Sequence, residues 1–264
     1  MVVGFIRSAA AGASSAEVAA LAARTEKPLQ SSRDMEGTCA PVSTVMHHHR
    51  IALAALALVL VFSAQVACAQ FSVPWTRSPS VTVVANGDDP RIALVEEAIT
   101  FWNKTLEEPG SGFRLGAPMR VDQAIPEEAL ESVSRSIVGV MGRNLTWIPA
   151  TLSAVPGNLT IFLAHSEFVS FAGPFAGDGR RVVGIRGLKF PPLGLPNVAR
   201  NVIAHELGHA IGLGHTADPK LLMCGRPAPC RPLEFRSDEP RMFPLNDHER
   251  LQLRQMYPMD WKPR

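Results

Sequence analysis

The 264-residue chain has a single tyrosine, and Phe, Trp and Tyr together make up only 6% of it. Net charge is nearly absent as well: 26 Lys and Arg against 24 Asp and Glu leave a formal charge of +2. A balance so close to neutral gives no electrostatic footprint for nucleic acid or for an anionic membrane surface. No period of about 20–50 residues recurs, which sets repeat architectures aside. Cysteine is scarce, with 4 in the chain, and how many can pair depends on how much of the chain is retained. What is abundant is Pro (22), Gly (20) and hydrophobic residues at 46%. The chain is therefore loop-rich but too apolar for disorder, and its length suits one or two domains with a real core.

The N-terminal part reads as an address. Residues 51–62 form an uninterrupted apolar run, shorter than the about 20 residues of a membrane span and within the roughly 7–15 of a secretory apolar core. Met46-His47-His48-His49-Arg50 precedes it as a polar start, and Ala67-Cys68-Ala69 follows as a small-x-small cleavage pattern. The expectation is a signal peptide at 46–69 and a secreted, periplasmic or extracellular product. Acylation of Cys68, or retention of the apolar run, would instead tether the protein to a membrane. Residues 1–45 are rich in Ala and Ser without apolar periodicity and read as a non-folded extension, with Met35 or Met46 as the alternative start. The remaining cysteines, Cys224 and Cys230, are expected to close a small disulfide loop in an oxidising compartment. The alternatives are two free thiols, or Cys224 as a competing metal ligand.

The chemistry is carried by His205-Glu206-Leu207-Gly208-His209-Ala210-Ile211-Gly212-Leu213-Gly214-His215, an H-E-x-x-H-x-x-G-x-x-H pattern. On a helix, His205 and His209 project from one face and can grip one ion. Glu206 lies beside them, placed to reach a water rather than the ion. Gly212 lets the chain leave the helix in a conformation costly for residues with a Cβ, so that His215 can return as the third ligand. Three nitrogens and an open position are how catalytic zinc is held. Asn197 is the expected cap of this helix.

This stretch resembles the metzincin clan of zinc endopeptidases, and within it the matrixin-like branch. The run His215-Thr216-Ala217-Asp218-Pro219-Lys220-Leu221-Leu222-Met223 is similar to the segment that leads that family to its Met-turn. The resemblance implies that Met223 forms a hydrophobic floor beneath the metal. It also implies a mixed α/β (α+β) zincin fold over residues 70–264: a twisted sheet, an active-site helix and a C-terminal helix flanking a zinc cleft. Val81–Val84, Leu159–Leu163 and Val182–Ile185 read as strands, Pro90–Leu106 as an amphipathic helix, and Leu245–Tyr257 as the closing helix capped by Asn246 or Asp247.

The chain departs from the family in four places. His165, in Leu163-Ala164-His165, echoes a ligand of the family's structural zinc, but the companion ligands are missing and one zinc is expected. Asp88, Asp89 and Asp178 are carboxylates open to calcium, which the sequence does not otherwise support. Cys224-Gly225-Arg226-Pro227 matches the family's latch motif in the wrong place. Gly225 stands where some metzincins carry a tyrosine, and Tyr257 is expected to pack.

The implied function is a monomeric zinc endopeptidase acting on protein or peptide substrates. Glu206 serves as general base and the metal carries most of the oxyanion charge. An extended substrate is expected to pair with Val182–Ile185 or Leu159–Leu163, and the basic loop 225–244 either favours acidic substrates or is a solvated loop with no such preference. A membrane-tethered protease or a catalytically silent zinc-binding module are the alternatives. Sequons occur at Asn103, Asn144 and Asn158.

Overall fold

Five strands make one sheet in the computed structural model, which describes residues 73–139, 148–173, 179–225, 230, 237 and 239–264. The strands are β1 (Val81–Ala85), β2 (Pro118–Asp122), β3 (Leu159–Leu163), β4 (Phe171–Gly173) and β5 (Arg181–Ile185), in the spatial order β2-β1-β3-β5-β4. β2, β1, β3 and β5 run parallel, and β4 lies antiparallel on β5, pairing Phe171 with Gly184 and Gly173 with Val182. The helices are α1 (Arg91–Glu107), α2 (Glu127–Gly139), α3 (Ala150–Ser153), α4 (Pro196–Ala210) and α5 (Asp247–Met256). The architecture is mixed α/β. The extension expected at 1–45, the signal at 46–69, Cys39, Cys68, Asn144 and Asp178 lie outside the described residues.

Parallel strands need crossovers, and crossovers cover both faces of the sheet. The alternation along β1, β3 and β5 shows it. Val81, Val83, Leu159, Ile161, Val183 and Ile185 face a core shared with α1, α4 and α5, whereas Val84, Phe162 and Val182 face a second core. The second core is built by Leu130 and Val133 of α2 and Leu152 of α3. The first is the larger, and it supports the candidate site.

Helix α1 is locked to α4 by specific contacts as well as by apolar packing. The fully buried Trp102 donates its indole N–H to Ala204 O at 2.9 Å. Arg200 of α4 donates through Nε to both Glu97 carboxylate oxygens at 2.7 and 2.9 Å. At the head of α1, buried Arg91 pairs with Asp89 and donates to Ala164 O (2.8 Å) and Arg186 O (2.7 Å), tying the helix to the ends of β3 and β5. Burial alone would raise the Asp89 pKa, but the bonds and charge of Arg91 hold its carboxyl below the usual range. This commitment removes Asp89 from the calcium candidates. Asp88 stays exposed opposite Arg120.

Helix α5 starts with a capping box: the Asn246 side chain accepts from Glu249 N, and the Glu249 carboxylate accepts from Asn246 N. Of the two expected caps, Asn246 is the one used. Asn103 exchanges two hydrogen bonds with the Leu115 main chain, at 3.0 and 2.8 Å, which occupies that sequon.

Candidate metal centre

Helix α4 begins at Pro196, with Leu195 as its N-cap and no side-chain cap. Proline suits the first helical position because its missing N–H has no intrahelical partner there anyway. The expectation that Asn197 caps the helix is thereby corrected. Asn197 sits inside the first turn, where its amide donates to Glu239 O at 2.6 Å and to Ser237 O, and its Oδ1 accepts from Arg200. It tethers the helix to the segment that returns from the loop after residue 230.

The other end of α4 sets the geometry of the site. Gly212 has φ of 110°, Gly212 N donates to His209 O at 2.9 Å and Leu213 N donates to Gly208 O at 3.0 Å. These two bonds are a Schellman closure, with glycine at the position that requires positive φ. The reversal brings His215 back over the helix. It also aims the Leu213 carbonyl at His209, whose Nδ1 lies 2.7 Å away. His205 Nδ1 likewise lies 2.7 Å from Leu222 O. A carbonyl only accepts, so both Nδ1 atoms carry the proton and both Nε2 atoms present lone pairs.

The three Nε2 atoms converge. His205 and His209 are 3.0 Å apart, His209 and His215 2.9 Å, and His205 and His215 3.3 Å. Tetrahedral ligation of zinc at about 2.0–2.1 Å separates nitrogens by about 3.3–3.4 Å. Lone pairs gathered this closely repel unless a cation sits among them, and a borderline-soft divalent ion suits imidazole. Main-chain carbonyls on the far nitrogens are the outer partners such ligands take. His205, His209 and His215 are the group among the described residues whose ligand atoms meet in this way. The residues present fit zinc. Burial, reinforced by the nearby His215, pushes the His209 pKa down to about 3, so His209 is in its neutral, ligating form at ordinary pH.

Glu206, next to His205, is buried under the open edge of β4. Its burial raises the carboxyl pKa to about 8, against a hydrogen bond from the Ala172 main chain that lowers it. A cleft of about 230 Å³ opens onto His205 and Glu206 together. β3 and β5 are each paired on both sides, which corrects the expectation that one of them would receive an extended substrate. Among the described residues, the edge strand beside the site is β4.

Met223 is fully buried and sits against the helix at Gly208. A Cβ added at Gly208 would lie 2.5 Å from the Met223 sulfur and 2.9 Å from Trp102. Gly208 is therefore the gap through which the methionine and the tryptophan approach the helix. A Cβ at Gly225 would collide with Cγ, Cδ2 and Nδ1 of His215. Thr216 N donates to Met223 O (2.9 Å) and Gly225 N to Thr216 O (3.1 Å), which presses the turn against that ligand. Neither packing role is visible in the sequence: Gly208 fills a free position of the motif, and the partner of Gly225 is ten positions away.

Cys224 and Cys230 form a disulfide with Cα atoms 5.7 Å apart. His165 is exposed just beyond β3, its main-chain N–H donated to Glu127 at 2.7 Å. Tyr257 packs as expected. It stacks on Phe113 and donates to Ile211 O at 2.8 Å, and burial pushes its phenol up to about 12. Of the loop expected to be basic, Arg226, Arg231 and Arg236 lie outside the described residues.

No protein-family model matches the chain, and no curated protein matches it. Among solved structures, the crystal structure of archaemetzincin from Methanopyrus kandleri is similar, with a TM-score of 0.36 and 18% identity over 69% of this chain and 96% of that chain.

Proposed function

We propose that the chain is an exported zinc-dependent endopeptidase of the metzincin type, with residues 70–264 as the catalytic region behind a signal at 46–69. The observation that carries the reading is the triangle of three histidine nitrogens 2.9–3.3 Å apart with the buried Glu206 carboxyl alongside. The matrixin-like branch is favoured by Asp218-Pro219 and by Met223 beneath the helix. The Cys224–Cys230 disulfide favours an oxidising compartment. Among the described residues no helix is long and apolar enough to cross a membrane.

His205, His209 and His215 would hold one zinc ion. Bound zinc supplies a water of pKa about 7 and polarisation of the peptide carbonyl. The main-chain carbonyls of Leu222 and Leu213 keep the His205 and His209 rings turned with Nε2 toward the ion. Glu206 accepts a proton from the attacking water and returns it to the leaving amine nitrogen. Burial raises the proton affinity of this carboxyl, which favours the uptake step. The outer edge of β4, where the Ala172 N–H is already bonded to Glu206, leaves its remaining main-chain groups to set the register of an extended substrate.

Glu206→Ala in the full chain tests the reading. It should retain one zinc per chain and lose chelator-sensitive peptide hydrolysis. A variant that goes on cleaving removes Glu206 from the mechanism, and a wild-type chain that binds zinc without cleaving anything is the silent binding module.

A further inference from the structure

We propose that the cleft beside the three histidines selects substrates with an acidic side chain next to the scissile bond, and that Arg186 is the residue that reads it. The inference rests on the peptidase reading and names its substrate class.

The cleft has room for one side chain, at about 230 Å³. His205 and Glu206 form one side, so whatever it holds is adjacent to the reacting peptide bond. Its remaining lining divides by chemistry. Leu193 and Val202 are an apolar floor suited to methylene groups, and Ser170 and Arg186 are a polar wall.

Arg186 is fixed in place. Its main-chain N–H donates to Ser170 Oγ at 3.2 Å, and its carbonyl accepts from the buried Arg91 at 2.7 Å. Its side chain is tethered through Nη2 alone, which donates to Pro191 O (2.5 Å) and Phe190 O (3.4 Å). Nε and Nη1 have no protein acceptor among the described residues. The contrast with its neighbours is informative. Arg91 is neutralised by Asp89 and Arg200 by Glu97, whereas Arg186 makes no ion pair among the described residues. The other charged group in the lining, Glu206, is not within bridging distance of it. A guanidinium stays charged at any working pH and offers a planar fork that matches a carboxylate. The Ser170 hydroxyl, whose oxygen already accepts from Arg186 N, has its proton left to donate. Two donors over an apolar floor is the complement of Asp or Glu. A lysine is repelled there, and a leucine covers the guanidinium without pairing it.

The test uses the zinc-loaded full chain and peptides identical except that each residue flanking the scissile bond is in turn Glu, Gln, Leu or Lys. At one of the two positions Glu should exceed Gln by roughly 10–100-fold in kcat/KM. Arg186→Gln should bring that ratio close to one, Arg186→Lys should keep most of it, and Arg186→Glu should turn the preference to Lys. Zinc content and the melting curve of each variant report whether the site still folds. Equal cleavage of Glu and Gln peptides at both positions overturns the inference and leaves the peptidase reading standing. If no peptide is cleaved the peptidase reading fails, and fluorescence anisotropy of the labelled peptides decides the inference alone. At least tenfold tighter binding of the Glu peptide, lost in Arg186→Gln, upholds it; equal binding overturns it.

Discussion

Gly225→Ala isolates one contact of the metal cage. Gly225 is not among the glycines with positive φ, so alanine brings no backbone strain and adds a single methyl group. That methyl falls on the His215 ring, well inside the 3.4 Å at which ordinary contact begins. The ring or the loop must retreat by roughly 1 Å, while metal–ligand distances tolerate about 0.2 Å. The loop has little room to give, because Cys224 is disulfide-bonded and Gly225 N is hydrogen-bonded to Thr216 O. Loss of an outer partner of a ligand typically costs 10–100-fold in metal affinity, and displacing the ligand itself should reach at least the upper end, about 100-fold or about 2.7 kcal/mol. The assay is competition between the full chain and a fluorescent zinc chelator at pH 7, with circular dichroism of the metal-free protein as the folding control. The metal-free melting temperature should stay close to wild type, since the contact involves an exposed ligand. Zinc affinity within threefold of wild type would refute the claim that His215 is held against Gly225.

Two further outcomes follow from other parts of the structure. In the metal-free chain, Glu206 binds its proton more tightly folded than unfolded, with a pKa raised from the ordinary 4.5 to about 8; stability therefore falls as pH rises from about 4.5 to 8, by at most about 1.4 kcal/mol per pH unit. His209 acts in the opposite sense between about 3 and 6.5, so the net decline is confined to about pH 6.5–8. Glu206→Gln should abolish it in urea titrations, and an unchanged slope would exclude Glu206 as its source. Arg91→Met strands the buried Asp89 carboxylate and should cost about 3–5 kcal/mol in the same assay, part of which Asp89→Asn should restore. A loss below about 1 kcal/mol would show that the pair is not the clamp between α1 and the strand ends.

The elements readable from sequence are those whose burial is one-sided or continuous. α1 carries Val95, Ala98, Ile99 and Trp102 on one face, and β3 is buried throughout, with Thr160 its one polar residue. β2 was not legible because it is an edge strand with Met119 and Arg120 exposed. β4 has only three residues, two of them small. α2 buries Leu130 and Val133 among serines and glutamates, a face too thin to stand out by period. The edge strand was misassigned because strand order is a tertiary property: β5 looks as pairable as β4 until β3 is seen beside it. The histidines and Glu206 were legible because helix geometry and one glycine determine their relation locally. Gly208, Gly225 and Arg186 act on neighbours that only the fold supplies.

The outer partners of His205 and His209 are the carbonyls of Leu222 and Leu213. Every amino acid carries a carbonyl, so no side-chain replacement at 213 or 222 can delete either acceptor. Had a carboxylate or an amide side chain oriented these rings, a single codon change could have turned them. The tautomer of two ligands is thus insulated from mutation at the residues that set it. It stays exposed only to changes that move the main chain, such as a residue inserted between His209 and Leu213. Fragility is concentrated instead at Gly208 and Gly225, where the chain has room for a hydrogen and nothing larger, and at Gly212, whose positive φ strains any residue with a Cβ.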